Sequence, residues 1–354
     1  PVHWRGTAYD HYDGRRWSRS EALAEREVVE RVGDRYCLTT ACGVRGQRVA
    51  YQVYLEDLDP PVLLLPPGSD TVVMRPQRRG GWFVHRTLLL SRLMELRREE
   101  EPTLVIHYEV EAHPTGSAFL AVREADLEPY LQLPELDPRI EQMARRQIEG
   151  AGPSALSKAR AVASFLRAEY RYTLDLRGTS DEEPLEDFLL RTRSGHCEFF
   201  STAMTIMLRA VGVPARNVTG FLGGRLNRFG VDGVYYTVAQ SDAHSWVEVY
   251  EEGAGWVTFD PTPPGGSAGA GSRSLLRVFG ELLDASRLAW EKNIIAYDLD
   301  TQMEILGSAW RTSRRWRRGD SDQRGRRVRE KPAAPFPWIA TALAVLIAVQ
   351  LLLA

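Results

Sequence analysis

The sequence predicts an α+β fold followed by a membrane-crossing helix, and three observations carry that expectation. Up to about residue 125, apolar side chains recur at every second position, the period of half-buried strands. Between 138 and 211 the recurrence lengthens to three and four, the period of helices sharing one core, and from 215 to 259 the alternation returns. An antiparallel β part is therefore expected first, followed by a part that mixes helices and strands. The third observation is the end of the chain, where 337–354 hold no charged residue. At about 1.5 Å of helical rise per residue, that stretch is about long enough to cross a hydrocarbon core.

Taken in order, the opening aromatics Trp4, Tyr9, Tyr12 and Trp17, set around Asp13-Gly14, predict a short aromatic hairpin packed on its own domain. Residues 48–55 alternate, with Val49, Tyr51, Val53 and Leu55 on one face, and prolines 60, 61, 66 and 67 punctuate the stretch after this strand. Alternation resumes at 82–85 and 105–110, so an antiparallel β domain with one dry face is expected over 1–130, its histidines on sheet or solvent faces. Pro138 opens a charged helix over 138–149, stopped by Gly150 and Gly152. Pro153-Ser154 opens a second over 155–170, with Leu156, Ala159, Val162, Ala163, Leu166 and Tyr170 at helical spacing. A short helical turn at 184–190 leads to Gly195. The helix from Cys197 turns Phe200, Met204, Met207, Leu208 and Val211 inward and stops at Gly212 and Pro214. That methionine-bearing face reads as plain core.

Strands are expected at 218–222, 235–239, 244–250 and 256–259, with a polar loop at 223–224 and 227–233. Asn217-Val218-Thr219 is a glycosylation sequon in form, but it overlaps a strand and reads as chance. A Gly/Ala/Ser tract marks a linker at 265–272, and 275–310 reads as helical before a basic run and the span.

A chain of 354 residues, 44% hydrophobic and 26% charged, has room for two domains with their own cores and excludes wholesale disorder. The net charge of −2 hides an asymmetry. Between Arg311 and Lys331 ten Lys/Arg face three Asp/Glu, so the body before that run is acidic and gives no nucleic-acid footprint. A basic run abutting a membrane helix predicts contact with anionic lipid headgroups. The start at Pro1 and the stop inside an apolar run are expected of a segment of a longer membrane protein. Cys37 and Cys42 either bridge in an oxidising compartment or stay thiols, which leaves Cys197 as the odd cysteine of the three. No zinc-type spacing of cysteines exists and the seven histidines are scattered, so neither a metal nor a cofactor is called for.

The chemistry gathers at three places. Ser194-Gly195-His196-Cys197 delivers a cysteine to the first turn of a buried helix, where free N–H groups and the helix dipole favour a thiolate. Asp242-Ala243-His244-Ser245-Trp246 sets a histidine on one strand, and Thr258-Phe259-Asp260-Pro261 sets an aspartate on the next. Centring the intervening turn on residue 252 puts His244 directly across from Asp260, with Cβ atoms about 4.5–5.5 Å apart. Cys197, His244 and Asp260 are therefore the candidate nucleophile, base and orienter, with N–H groups at the helix start as oxyanion donors. Trp246 shares the face of His244 and either walls the cleft, donates its indole N–H or packs in the core. Adjacent helical side chains diverge by about 100°, so His196 is expected to bond locally and not to face His244. A zinc site on the same three residues and a non-catalytic, membrane-tethered binding module are the rival readings.

Four blocks then resemble the bacterial transglutaminase-like core of the papain-like superfamily: Gly195-His196-Cys197-Glu198-Phe199-Phe200, Val211-Gly212-Val213-Pro214-Ala215-Arg216, Asp242-Ala243-His244-Ser245-Trp246-Val247-Glu248, and Trp256-Val257-Thr258-Phe259-Asp260-Pro261. Trp4-Arg5-Gly6, Tyr12-Asp13-Gly14 and Trp17, with 290–302 and the terminal span, resemble its membrane-anchored TgpA-type branch. The resemblance implies a papain-like core over 131–264, an antiparallel β domain before it, a linker, helix and basic juxtamembrane segment over 265–331, and a transmembrane helix at 337–354. It implies Cys197, His244 and Asp260 as catalytic residues in thiol-dependent acyl transfer from protein glutamine or amide groups to an amine. Protease or amidase relatives pass the same acyl group to water. It also implies inner-membrane anchoring with the catalytic domain outside the cytoplasm. The Arg-rich run before the span favours the cytoplasm by the positive-inside rule, an orientation that helices upstream of the chain would override.

Overall fold

The sheet that positions the candidate site has four strands, all paired antiparallel in the order β1-β2-β3-β4: β1 (His3–Tyr9), β2 (Ala215–Leu222), β3 (Ala243–Glu251) and β4 (Gly255–Phe259). The computed structural model describes residues 1–264 apart from 40–46, 57, 59–60, 75–76, 80–81, 85, 100–104, 114–125, 176–182 and 231–232. The linker, the helix expected at 275–310, the basic run and the apolar terminus at 337–354 lie outside those residues. Among the described residues no helix is long and apolar enough to cross a membrane.

Two helices, α2 (Ala155–Glu169) and α3 (Cys197–Ala210), lie against the sheet, and α1 (Pro138–Ile148) packs on both of them. Asp137 caps α1 by accepting from Arg139 N–H, with Pro138 in the first turn. Ser154 caps α2 through Ser157 N–H at 3.1 Å. Helix α3 ends where Gly212 takes φ +76° and the Val213 N–H returns to the Leu208 carbonyl at 2.9 Å, and Pro214 prevents continuation. The inward face of α3, with Phe200, Met204, Met207 and Leu208 all at 0% exposure, packs on Val247 and Val249 of β3 and on Val162 and Leu166 of α2. Each such side chain contributes about 1.5–3 kcal/mol by leaving water. The expected helices thus form with boundaries shifted by a residue or two.

The β-rich part consists of antiparallel sheets. A five-stranded one carries Val49–Glu56 beside Val105–Ala112, and a three-stranded one is built on Leu88–Ser91. Their shared core includes Leu63, Val72, Leu88, Leu96, Tyr108 and Val110.

Three expectations give way. The aromatic stretch packs on the β-rich part through Trp4, whose ring meets Tyr51, whereas Tyr12 joins the helix core and Trp17 Nε1 donates to Thr202 Oγ1 of α3 at 2.9 Å. The same N-terminal stretch supplies β1, which crosses the boundary drawn near 130 to lie against β2. Finally, the polar stretch after β2 is a hairpin of Arg225–Gly230 and Gly233–Thr237, because its short alternation of Leu226, Tyr235 and polar partners suffices for pairing.

Strand β1 docks because β2 offers glycine where the two strands come closest. A Cβ on Gly220 would lie 2.0 Å from the Trp4 carbonyl oxygen and 2.9 Å from the Trp246 ring. Trp4 Nε1 donates to the Gly223 carbonyl at 3.2 Å, and Gly223 N–H donates to the Val2 carbonyl at 2.7 Å. Behind them Arg5 and Arg216 both bind the buried Glu248 carboxylate, at 2.8 and 2.7 Å.

Candidate active site

The path to Cys197 is set by an unusual turn. Pro184–Glu186 starts a helix that widens into a π-helical stretch, Asp187–Thr192, and Arg193 ends it in the left-handed region at φ 49°. Ser194–Gly195 then pairs parallel with Arg171–Tyr172, which aims the chain at the sheet. Gly195 is needed there, since a Cβ would meet the Phe199 ring at 2.8 Å. Cys197 follows as the first residue of α3.

One turn further on, α3 is fastened to β3. Ser201 Oγ lies 2.6 Å from Ser245 Oγ, which donates to Asn217 Oδ1 of β2 at 3.0 Å. Ser245 is the residue after His244, so this buried chain fixes the height of the sulfur against the imidazole. Asn217 is 2% exposed, so the sequon is sealed in the fold and its reading as chance holds.

His244 Nε2 donates to Asp260 Oδ2 at 2.8 Å, although the two are not paired as the hairpin count expects. The register runs Val247 to Phe259 and Glu251 to Gly255, so the turn centres on Gly253, one residue later than expected. Gly253 and Gly255 both adopt positive φ, which lengthens the turn. Moving the centre by one residue moves the partner by two and preserves parity. His244 and Asp260 become diagonal neighbours on one face, still within side-chain reach. Asp260 itself stands just past β4, with Oδ1 held by Thr262 N–H at 2.9 Å and its carbonyl bound by the Arg167 guanidinium of α2.

The Cys197 thiolate is favoured by hydrogen bonding from the His196 and His244 side chains and from Ser245 N–H. Because Nε2 of His244 is committed to Asp260, the sulfur falls to Nδ1. Burial pushes the thiol up, but these bonds and the His244 charge overcome it and bring it down to about 6. Burial pulls His244 down, and the bonds to Asp260 and Cys197 overcome that and raise it to about 9. Asp260 is held far below the usual carboxylate range by His244, with His3 adding to the effect, against the opposing cost of burial. Between about pH 6 and 9 the stable form is therefore a thiolate beside an imidazolium.

His196 bonds locally as expected, its Nδ1 accepting from Glu198 N–H at 3.4 Å. It also reaches the sulfur, because as the N-cap it has extended backbone (φ −93°, ψ −178°) and the helical divergence does not apply to it. Trp246 is 1% exposed and stacks beside His244 with ring centroids 6.4 Å apart, so it is a wall packed in the core. Two neighbours had no signal in the local sequence. The bridge to Gly195 sets Tyr172 where the Cys197 charge acts on it, and β1 brings His3 to 3.8 Å from Asp260 Oδ2.

Known proteins match the same regions. The description "Transglutaminase-like superfamily" fits residues 141–261, which contain Cys197, His244 and Asp260, and "TgpA N-terminal domain" fits residues 1–117. The protein-glutamine gamma-glutamyltransferase of Pseudomonas aeruginosa is 31% identical over 268 residues, covering 74% of this chain. The chain belongs to the transglutaminase-like superfamily and is of TgpA type. YebA of Bacillus subtilis is 36% identical over 138 residues, or 38% of this chain. The chain spans 35% and 19% of the lengths of these two relatives. The crystal structure of the periplasmic domain of P. aeruginosa TgpA superposes with a TM-score of 0.57 at 26% identity, covering 73% of this chain and 81% of that one. Its ethylmercury-bound form superposes at 0.56. The TgpA-type chain thus shares the α+β arrangement of that domain.

Proposed function

We propose that this TgpA-type chain is a thiol acyltransferase acting on protein or peptide glutamine through Cys197, with His244 as acid and base and Asp260 as its orienter. The observation that carries this reading is the geometry, with Asp260 fixed 2.8 Å behind the His244 ring and Cys197 at the first position of α3, a setting that lowers the thiol to about 6 and raises the imidazole to about 9.

The steps follow from those positions. The Cys197 thiolate attacks the γ-carboxamide carbon, and the developing oxyanion is met by the Cys197 N–H at the start of α3, where intrahelical acceptors are lacking. The His244 imidazolium gives its proton to the leaving nitrogen as the C–N bond breaks, which releases ammonia and leaves a thioester on Cys197. An incoming amine then attacks the thioester and passes a proton to neutral His244. Collapse breaks the C–S bond, releases the new amide and restores the pair. With water in place of the amine the same acyl-enzyme gives hydrolysis, the protease or amidase outcome.

We assign 131–264 together with β1 to the catalytic unit, and 337–354 to a membrane helix that tethers it. Placement outside the cytoplasm is supported by the periplasmic domain of the P. aeruginosa relative and by the disulfide at Cys37, since such bonds persist in oxidising compartments. The test uses a glutamine-bearing peptide and a fluorescent primary amine. Wild type is expected to incorporate the amine and release ammonia in equal amounts, and Cys197→Ala to do neither. Glutamine turnover without amine incorporation would assign the hydrolytic outcome, and turnover that survives Cys197→Ala would overturn the reading.

A further inference from the structure

We propose that His3 is a positioning residue of this site: it shares the Asp260 carboxylate with His244 and limits how firmly that carboxylate holds the His244 proton. The inference rests on the acid–base role given to His244 above.

Four observations carry it. His3 Nε2 stands 3.8 Å from Asp260 Oδ2, the same oxygen that His244 Nε2 binds at 2.8 Å. That His3 nitrogen is sealed from water and has no hydrogen-bond partner, so Asp260 is the acceptor it faces. Its ring meets the Trp246 ring edge-on, centroids 5.0 Å apart, and Trp246 in turn stacks beside His244, so His3 is held in place by the wall of the site. Finally, β1 is anchored where His3 leaves it, through the Gly223 and Val2 backbone and the close approach at Gly220.

The consequence follows from charge sharing. At 3.8 Å His3 makes no hydrogen bond to the carboxylate, but a ring dipole or charge set against the same oxygen draws on its negative charge and weakens the His244 bond. The carboxylate's orientation does not depend on His3, because Thr262 N–H holds Oδ1 and Arg167 holds the carbonyl. His3 therefore acts on the strength of the His244–Asp260 bond and leaves its direction alone. A less tightly held proton suits His244, which must release it to the leaving nitrogen. The other groups facing the pair are Cys197 and His196 from α3, Arg167 from α2 and Tyr172. His3 also lines a small cavity with Arg5, Arg216 and Glu248.

The test compares His3→Phe, which keeps a ring against Trp246 without the nitrogen, and His3→Gln, which restores an N–H. The His244 imidazole is titrated by proton–nitrogen NMR in the full chain, a readout that needs no substrate and so stands apart from the acyl-transfer reading. In His3→Phe the His244 midpoint is expected to rise by about half to one pH unit, and in His3→Gln to return towards wild type. In turnover, kcat of His3→Phe is expected to fall about threefold to tenfold with KM unchanged. A midpoint that stays put or falls in His3→Phe, or one that Gln fails to restore, would overturn the proposal. If wild type shows no turnover while the midpoint still rises, the acyl-transfer reading fails and the sharing of Asp260 stands.

Discussion

Arg5 and Glu248, 243 residues apart in sequence, are joined by a hydrogen bond of 2.8 Å that ties the first strand to the third. Arg216 completes the buried trio from the other side, its guanidinium 4.1 Å above the Trp256 ring. Burial alone would push the Glu248 carboxyl up, yet the two arginines pull it down to about 2. A depressed carboxylate contributes stability that is complete above its unfolded value of 4.5 and is lost as the pH falls towards about 2. Glu248→Gln leaves two buried guanidinium groups without their carboxylate, and an expected loss of about 3–5 kcal/mol should be read by urea denaturation at neutral pH. The difference from wild type should narrow as the pH drops below 4. A loss under about 1 kcal/mol would remove the trio from the account of how β1 is held.

Gly220→Ala tests the docking of β1 itself. The added methyl would sit 2.0 Å from the Trp4 carbonyl oxygen, so the strand must move away. Stability is expected to fall by about 2 kcal/mol or more, and the indole environment of Trp4 and Trp246 to change in near-ultraviolet circular dichroism. A variant with wild-type spectrum and stability would mean that β1 does not approach β2 this closely.

Asp260→Asn separates the orienter from the base. Without the carboxylate, burial wins over His244 and its midpoint is expected to drop from about 9 to below the ordinary value of 6.5. The imidazolium then no longer supports the thiolate at neutral pH, and turnover is expected to fall about 100-fold or more. A pH–rate profile should show the alkaline limb moving down, and an unmoved limb would count against Asp260 as the partner of His244.

Ser245→Ala examines how α3 is held against β3. The change leaves Asn217 Oδ1 and the Ser201 hydroxyl, both buried, without the bond that links them. A loss of about 1–3 kcal/mol is expected in thermal or urea unfolding, together with slower alkylation of Cys197 as the sulfur loses its fixed height.

Much of this site was legible because its signals are local. Gly195 before an apolar helix, and Gly212 and Pro214 after it, mark both ends of α3 within a few residues. The two strands around Gly253 show their parity by alternation alone, so His244 and Asp260 could be set on one face although the count missed the register by two. Turn length was the hidden variable there, since two left-handed glycines extend the loop. His3 and Arg5 were out of reach for a different reason. Nothing in a period of two says which distant strand an edge strand will join, and β1 pairs with a strand more than 200 residues away. His196 bonds locally as expected, and its influence on Cys197 lay outside that expectation because a cap residue carries extended backbone that helical angles do not describe.

The pairing of the Cys197 sulfur with the His244 ring is tested most directly by the pH dependence of iodoacetamide alkylation at Cys197, followed by mass spectrometry of the peptide that carries it. Wild type is predicted to reach half its maximal rate near pH 6, and His244→Ala to need a pH well above 7, towards the ordinary thiol value of 9.0. A wild-type midpoint near 9, or one that His244→Ala leaves unchanged, would contradict the account.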